Sequence, residues 1–94
     1  MNSTGKLKKS FIILNNKGLH TRPATELVRC ASVFKSQIFL IYEGASVSAR
    51  SLFEILMLGA RPGTTIEVEA EGVDAEEAVK AILDLAKRKF NIQY

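Results

Sequence analysis

The stretch Gly18-Leu19-His20-Thr21-Arg22-Pro23-Ala24 marks the point where a turn ends and a helix begins. Pro23 fits the first turn of a helix, because it has no backbone N–H to leave unpaired and its φ angle already suits the helix. Gly18 lets the chain bend sharply just before that helix. The sequence therefore places His20, the only histidine of the chain, at a helix N-terminus.

The groups around His20 are those that attract an anion. A free imidazole, with a pKa of about 6.5, has a lone pair near neutral pH and needs no helper base to act as a nucleophile. The backbone N–H groups of the first turn and the positive end of the helix dipole favour negative charge, and Arg22 adds a permanent cation. We interpret the stretch as a transient phosphoryl site. The alternative is that His20 is an ordinary surface residue.

The segments on either side of this stretch fit a strand and a helix. Residues 7–14 predict a strand with Phe11 and Ile13 directed inward, and residues 15–18 predict a loop. From about residue 21 to residue 34, apolar side chains recur at the spacings i, i+3, i+4 and i+7 of one helical face. That face consists of Ala24, Leu27, Val28 and Ala31.

Three further strands are predicted. Residues 37–42 and 45–49 fit a hairpin with Glu43-Gly44 at its turn. Residues 64–70 alternate between apolar and polar side chains, which is typical of a strand in a sheet with one solvated face. Their inward side chains would be Ile66, Val68 and Ala70, with Glu67 and Glu69 facing water.

Two more helices are predicted from their capping residues. Ser51 followed by Glu54 is a capping-box pattern, which opens a short helix that Gly59 ends. Asp74 and Glu77 form the cap signature of the last helix. The buried stripe of that helix would comprise Val79, Ile82, Leu83, Ala86 and Phe90.

The predicted order of elements is β-α-β-β-α-β-α, an α+β fold with the helices on one face of the sheet. A ferredoxin-like arrangement has nearly the same order, so periodicity alone leaves two topologies open. A chain of 94 residues suits a single domain, residues 1–94.

Composition argues against several other classes of protein. The net charge is +3, but the cations are scattered, at Lys6, Lys8 and Lys9 and in the expected last helical turns at Lys87, Arg88 and Lys89. No aromatic-rich RNA-binding strand lies among them, so we expect no nucleic-acid partner.

We find no signal peptide or membrane span, and expect a cytoplasmic protein. Cys30 is alone, which excludes an internal disulfide and a Cys-rich metal site, and its position in a helical pattern predicts a buried or half-buried thiol. No cofactor or metal is expected.

The heptapeptide and three later stretches resemble the histidine-containing phosphocarrier proteins, HPr, of the bacterial phosphoenolpyruvate-dependent sugar phosphotransferase system. Residues 23–28 resemble the start of the family's first helix, residues 51–59 its regulatory-serine segment and residues 63–72 its last strand. The resemblance extends from about Lys8 to Phe90. It implies an open-faced β-sandwich, in which three helices cover one face of a four-stranded antiparallel sheet with strand order 1-4-2-3.

The resemblance also implies roles for residues. His20 matches the phosphorylated histidine, which carries the group on Nδ1, and Arg22 matches the arginine that neutralises the phosphoryl oxygens, with the backbone of Thr21 and Arg22 also contacting phosphate. Phospho-enzyme I would be the donor and IIA domains of sugar permeases the acceptors. The protein would be a monomeric carrier without turnover of its own. Thr21 stands where many members have alanine.

Two functions are implied for the short helix. The family uses it for docking, so we assign Leu52, Phe53 and Leu56, with Thr21, to contacts with partners, and expect Ile55 and Met57 in the core. Ser51 matches a serine that HPr kinase/phosphorylase modifies in many members, although an N-cap serine also stabilises a helix by itself. Arg50 stands where lysine is frequent in members under such control.

Two alternatives differ in class. One is a specialised relative that serves nitrogen-related or regulatory signalling and docks on a different enzyme I homologue. The other is a ferredoxin-like binding module in which His20 is incidental.

Overall fold

The computed structural model describes residues 6–92, so the ends of the expected domain, residues 1–5 and 93–94, lie outside the described residues. One four-stranded sheet has the order β1-β4-β2-β3, and all three neighbouring pairs are antiparallel. The open-faced sandwich is confirmed, and this strand order excludes the ferredoxin-like arrangement. The elements are β1 Lys6–Ile12, α1 Thr21–Ala31, β2 Gln37–Tyr42, β3 Ala45–Ser48, α2 Leu52–Met57, β4 Thr65–Glu71, α3 Ala75–Lys87 and a 3-10 turn Lys89–Asn91.

The core lies between one face of the sheet and the helices. β4 is an inner strand, paired with both β1 and β2, and its alternate side chains Ile66, Val68 and Ala70 are fully buried. Leu27 of α1 and Ile82 of α3 cover them from the helical layer. Burial of each large aliphatic side chain contributes about 1.5–3 kcal/mol. The apolar side chains that alternate along the strands and line one face of each helix therefore hold the two layers together.

Several element boundaries differ from the prediction. The first strand ends at Ile12 instead of residue 14, because the Ile13 backbone turns to loop residues, donating to Thr64 O and accepting from Gly63 N. The first helix ends at Ala31 instead of residue 34. The last helix ends at Lys87, and Phe90 is fully buried from a left-handed conformation in the turn that follows.

The capping box at Ser51 is only half formed. The Glu54 amide donates to Ser51 Oγ at 3.2 Å, as the pattern predicts. The Glu54 carboxylate, however, accepts from the amide of Ser48 at 3.0 Å, while the Ser51 amide donates to the Ser48 carbonyl. Glu54 thus joins α2 to the end of β3 instead of closing its own helix.

Asp74 is the N-cap residue of the last helix, as predicted, but its side chain does not cap that helix. Its side chain makes no capping hydrogen bond; the carboxylate accepts from the amides of Lys35 and Ser36, both at 2.9 Å, and from Ser36 Oγ at 2.5 Å. These hydrogen bonds lower the pKa of Asp74 to about 2, and the bond from the Ser36 hydroxyl has the largest effect. Asp74 therefore anchors the loop between α1 and β2.

The same loop is held from a second direction. The Arg50 guanidinium donates to the carbonyls of Phe34 and Ser36, the latter at 2.9 Å. Gly72 also lies against the loop, where an added Cβ would be only 2.6 Å from Ser36 Oγ. The C-terminal end of α1 is consequently fixed relative to β2, β3 and α3.

The Asp74 anchor predicts a defined pH dependence. Its folded-state pKa lies below the ordinary 3.8, so the ionised carboxylate stabilises the fold at pH values above about 4, and this contribution is lost as the pH falls toward about 2. In urea unfolding, Asp74→Asn should be less stable than wild type at about pH 5, and the difference should shrink toward pH 2. Glu77→Gln, in the same helical turn, is the control. A difference for Asp74→Asn that is the same at both pH values would contradict the assignment.

Candidate functional site

The loop that carries His20 is held against the segment after α2. Gly18 has a φ of +71°, and an added Cβ would lie 2.5 Å from the Ala60 carbonyl oxygen. The Leu19 amide donates to that same oxygen at 3.1 Å, and the Leu19 side chain is buried. The chain therefore needs glycine here both for its backbone angle and for the close approach.

His20 is the N-cap residue of α1. Its backbone is extended, its carbonyl accepts the first helical hydrogen bond from Ala24 N at 2.9 Å, and its side chain makes no capping bond. The imidazole is half-exposed. Pro23, the third helical residue, has no N–H, so the amides of Thr21 and Arg22 form the N-terminal end of the helix beside the imidazole.

His20 lies in an open depression of about 390 Å³. The depression is lined by two cationic side chains, Lys17 and Arg61, which the sequence analysis did not single out. Each lies next to a turn, Lys17 before Gly18 and Arg61 between Gly59 and Gly63, but only the packing of the two turns brings them together. The remaining lining residues are Leu19, Thr21, Leu56, Gly59, Ala60 and Pro62.

Arg22 is exposed, two residues beyond His20, on the neighbouring side of the helix start. It lines a second depression, of about 230 Å³, together with Thr25, Glu26, Asn91 and Ile92. Cationic residues therefore line the surface on both sides of His20. His20 and Arg22 thus line different depressions, and the acidic residue Glu26 lines the one that contains Arg22.

The short helix exposes an apolar surface, which we name the α2 patch, formed by Phe53, Leu56 and Met57. Phe53 is 73% exposed, Met57 69% and Leu56 37%. The expectation that Met57 is in the core is wrong, because the spacing of these three residues places them on one face of α2. Leu56 also lines the depression at His20, so the patch adjoins the candidate site.

The opposite face of α2 packs inward. Ile55 is fully buried, as predicted, and Leu52 is only half-exposed and packs against the core. Of the three docking residues predicted on α2, Phe53 and Leu56 are therefore on the surface, and Leu52 lies at its edge. Ser51, the N-cap residue of α2, is half-exposed.

Other chemistry-bearing groups lie apart from this region. The Cys30 thiol is half-buried, and burial raises its pKa. Within residues 6–92, no three His, Cys, Asp or Glu side chains are grouped so as to hold a metal ion. None of the helices described there is long and apolar enough to span a membrane.

Comparison with known proteins agrees with the geometry. A family model described as PTS HPr component phosphorylation site matches residues 7–88. The phosphocarrier proteins HPr of Neisseria meningitidis serogroups A and B are each 38% identical over 84 residues, which make up 89% of this chain and 94% of the relative.

Solved structures are similar over nearly the same length. HPr-C-His from Thermoanaerobacter tengcongensis has a TM-score of 0.88 at 40% identity, covering 94% of this chain and 99% of that chain. An HPr dimer from the same organism has a TM-score of 0.73 at 44% identity, covering 89% and 98%. With its open-faced sandwich and its histidine at the start of α1, the chain belongs to the HPr family of phosphocarrier proteins of the phosphotransferase system.

Proposed function

We propose that His20 accepts a phosphoryl group from phospho-enzyme I, which receives it from phosphoenolpyruvate, and passes it to IIA domains of sugar permeases. The Nδ1 lone pair forms a bond to phosphorus while the bond to the donor breaks, and the reverse exchange delivers the group to the acceptor. The observation that carries the proposal is the half-exposed imidazole at the N-terminal end of α1, between surfaces lined by Arg22 on one side and by Lys17 and Arg61 on the other.

The strength of these interactions suits a carrier. A charge-assisted hydrogen bond contributes about 1.5–3 kcal/mol and a helix N-terminus about 0.3–2 kcal/mol. Arg22 and the first helical amides would therefore orient the phosphoryl group without preventing its departure. The alignment needed for transfer comes from the partner enzymes, so the protein alone should show no turnover.

The α2 patch supports the docking part of the proposal. Exposed apolar surface next to a reactive group is typical of a protein contact, and Phe53 is the kind of large aromatic residue that dominates such contacts. We assign Phe53, Leu56, Met57 and Thr21 to contacts with enzyme I and IIA domains, with Leu52 supporting the patch from its edge. We expect the protein to be a cytoplasmic monomer. Because one relative is a dimer, the oligomeric state should be measured by sedimentation.

The first prediction from this proposal concerns the acceptor and its cation. With enzyme I and phosphoenolpyruvate, the wild type should gain an acid-labile, alkali-stable phosphate, and His20→Ala should abolish it. Arg22→Ala should slow transfer by roughly 10- to 100-fold with the fold intact, because charge-assisted bonds to the phosphoryl oxygens are lost. Arg29→Ala, an exposed arginine later on α1, is the matched control and should be near neutral. Persistent label in His20→Ala would refute the proposal.

The same assay separates the alternatives. A sugar-system carrier should be labelled faster by the sugar-branch enzyme I than by a nitrogen-branch homologue, and the specialised relative should show the reverse order. Labelling by neither enzyme would leave a binding module in which His20 is incidental.

The second prediction concerns docking. Phe53→Ala should weaken binding to enzyme I by roughly 5- to 30-fold in calorimetry, since truncation of an interface aromatic typically costs more than 1 kcal/mol. The change should scarcely alter stability, because the side chain is 73% exposed. Val73→Ala, also on a highly exposed apolar residue, is the control for surface truncation. Equal affinities of the Phe53 and Val73 variants would refute the docking assignment.

We also propose that HPr kinase/phosphorylase phosphorylates Ser51. The half-exposed N-cap hydroxyl lies at the start of the helix that bears the α2 patch. A phosphate there would place about two negative charges beside the patch and near the Glu54 carboxylate, so it would repel acidic partner surfaces.

The third prediction tests this regulation. The kinase should place one acid-stable phosphate on the protein, and Ser51→Ala should prevent it, while Ser46→Ala, on an exposed serine of β3, should not. The phosphorylated protein should bind enzyme I at least about tenfold more weakly than the unmodified one. Label on Ser51→Ala, or unchanged affinity after phosphorylation, would contradict the proposal.

A further inference from the structure

Asn15 is a buried polar residue on the loop that leads to His20. It is 1% exposed, and its Nδ2 donates to the backbone carbonyl of Lys89 at 2.9 Å, across 74 positions of sequence. Its own carbonyl accepts from Gly18 N at 3.0 Å, in the turn before His20. One residue thus joins the His20 loop to the turn that follows α3.

The Asn15 bond is not needed to satisfy its acceptor. The Lys89 carbonyl also accepts from Ile92 N at 3.0 Å, and the Asn15 Oδ1 is buried without a hydrogen-bond partner among the described residues. A buried amide with an unpaired oxygen carries a desolvation cost of about 1–3 kcal/mol. An apolar residue of similar size would avoid that cost, so the contribution of Asn15 is to geometry more than to stability.

The turn that Asn15 holds is strained. Lys89, Phe90 and Asn91 have φ angles of 54°, 55° and 64°, and left-handed residues other than glycine are unfavourable and are kept only where their surroundings fix them. The Phe90 side chain is fully buried and contacts the Phe11 ring edge-on, with centroids 6.0 Å apart. The contact with Asn15 fixes the backbone on the side nearest the His20 loop.

This turn lies beside Arg22. Asn91 and Ile92 line the same depression as Arg22, and the turn packs against α1. We infer that Asn15 is a positioning residue: through the turn at residues 89–91, it sets where Arg22 lies relative to His20. The inference rests on the proposed function of His20 and Arg22 and deepens it.

The test is a double-mutant cycle with two phosphoryl donors. Asn15→Leu keeps the branched shape and the number of side-chain heavy atoms and removes the donor, and it is combined with Arg22→Ala. The donors are phospho-enzyme I and phosphoramidate, a small molecule whose P–N bond breaks, with release of ammonia, as the new bond to His20 forms. Asn15→Leu should slow labelling by both donors roughly three- to tenfold, and it should cause no further loss in the Arg22→Ala protein, because both changes disturb one arrangement.

Several outcomes would overturn the inference. Unchanged rates for Asn15→Leu, or an equal loss with and without Arg22, would show that Asn15 does not act through Arg22. The exposed neighbour variant Asn16→Leu is the control, and Asn15→Ser replaces Asn15→Leu if the latter fails to fold. Labelling by phosphoramidate but not by enzyme I would defeat the proposed function, while the phosphoramidate cycle would still decide the role of Asn15.

Discussion

The contact of Gly18 and Leu19 with the Ala60 carbonyl fixes the relation between the candidate acceptor and the surface beside it. The approach is too close for any side chain at position 18, and the Leu19 amide bonds to the same oxygen. His20 and the end of α2 are therefore joined through backbone atoms instead of flexible side chains. For a partner that docks as proposed, the imidazole would lie at a set distance from the α2 patch, as in-line transfer between two macromolecules requires.

The opposite end of α1 is fixed by charged side chains. Asp74 accepts from the amides of the loop after α1, and Arg50 donates to the carbonyls of that loop. Backbone groups of this loop, at residues 34–36, thus have partners from two other segments of the chain. With both ends held and its apolar face on the sheet, α1 has little freedom to tilt. The amides at its N-terminal end therefore keep one direction relative to His20.

Sequence patterns predicted those features that depend on local spacing. The range of β2 was correct because a short run rich in Ile, Phe and Leu leads into the Glu43-Gly44 turn, which has the positive φ angles such a hairpin needs. The role of Asp74 was missed, because it depends on hydrogen bonds from the amides of Lys35 and Ser36, which precede it by 39 and 38 positions in the sequence.

The same distinction holds at the candidate site. His20 and Arg22 could be singled out because neighbouring residues define a helix start. Lys17, Arg61 and Asn15 could not, since their roles arise only when segments distant in sequence pack together. The family resemblance, and not the periodicity, decided the strand order, since the ferredoxin-like arrangement predicts nearly the same elements.

Exposure of the cations couples the proposed transfer to docking. Lys17, Arg22 and Arg61 are all exposed in the free protein, where water screens their attraction for a phosphoryl group. When a partner covers the α2 patch and the adjoining depression, water leaves and the same charges act in a lower dielectric. Their effect then grows just as negative charge shifts between donor and acceptor. Docking and charge stabilisation are consequently coupled, so a carrier with modest affinity for its cargo exchanges it quickly only in the complex.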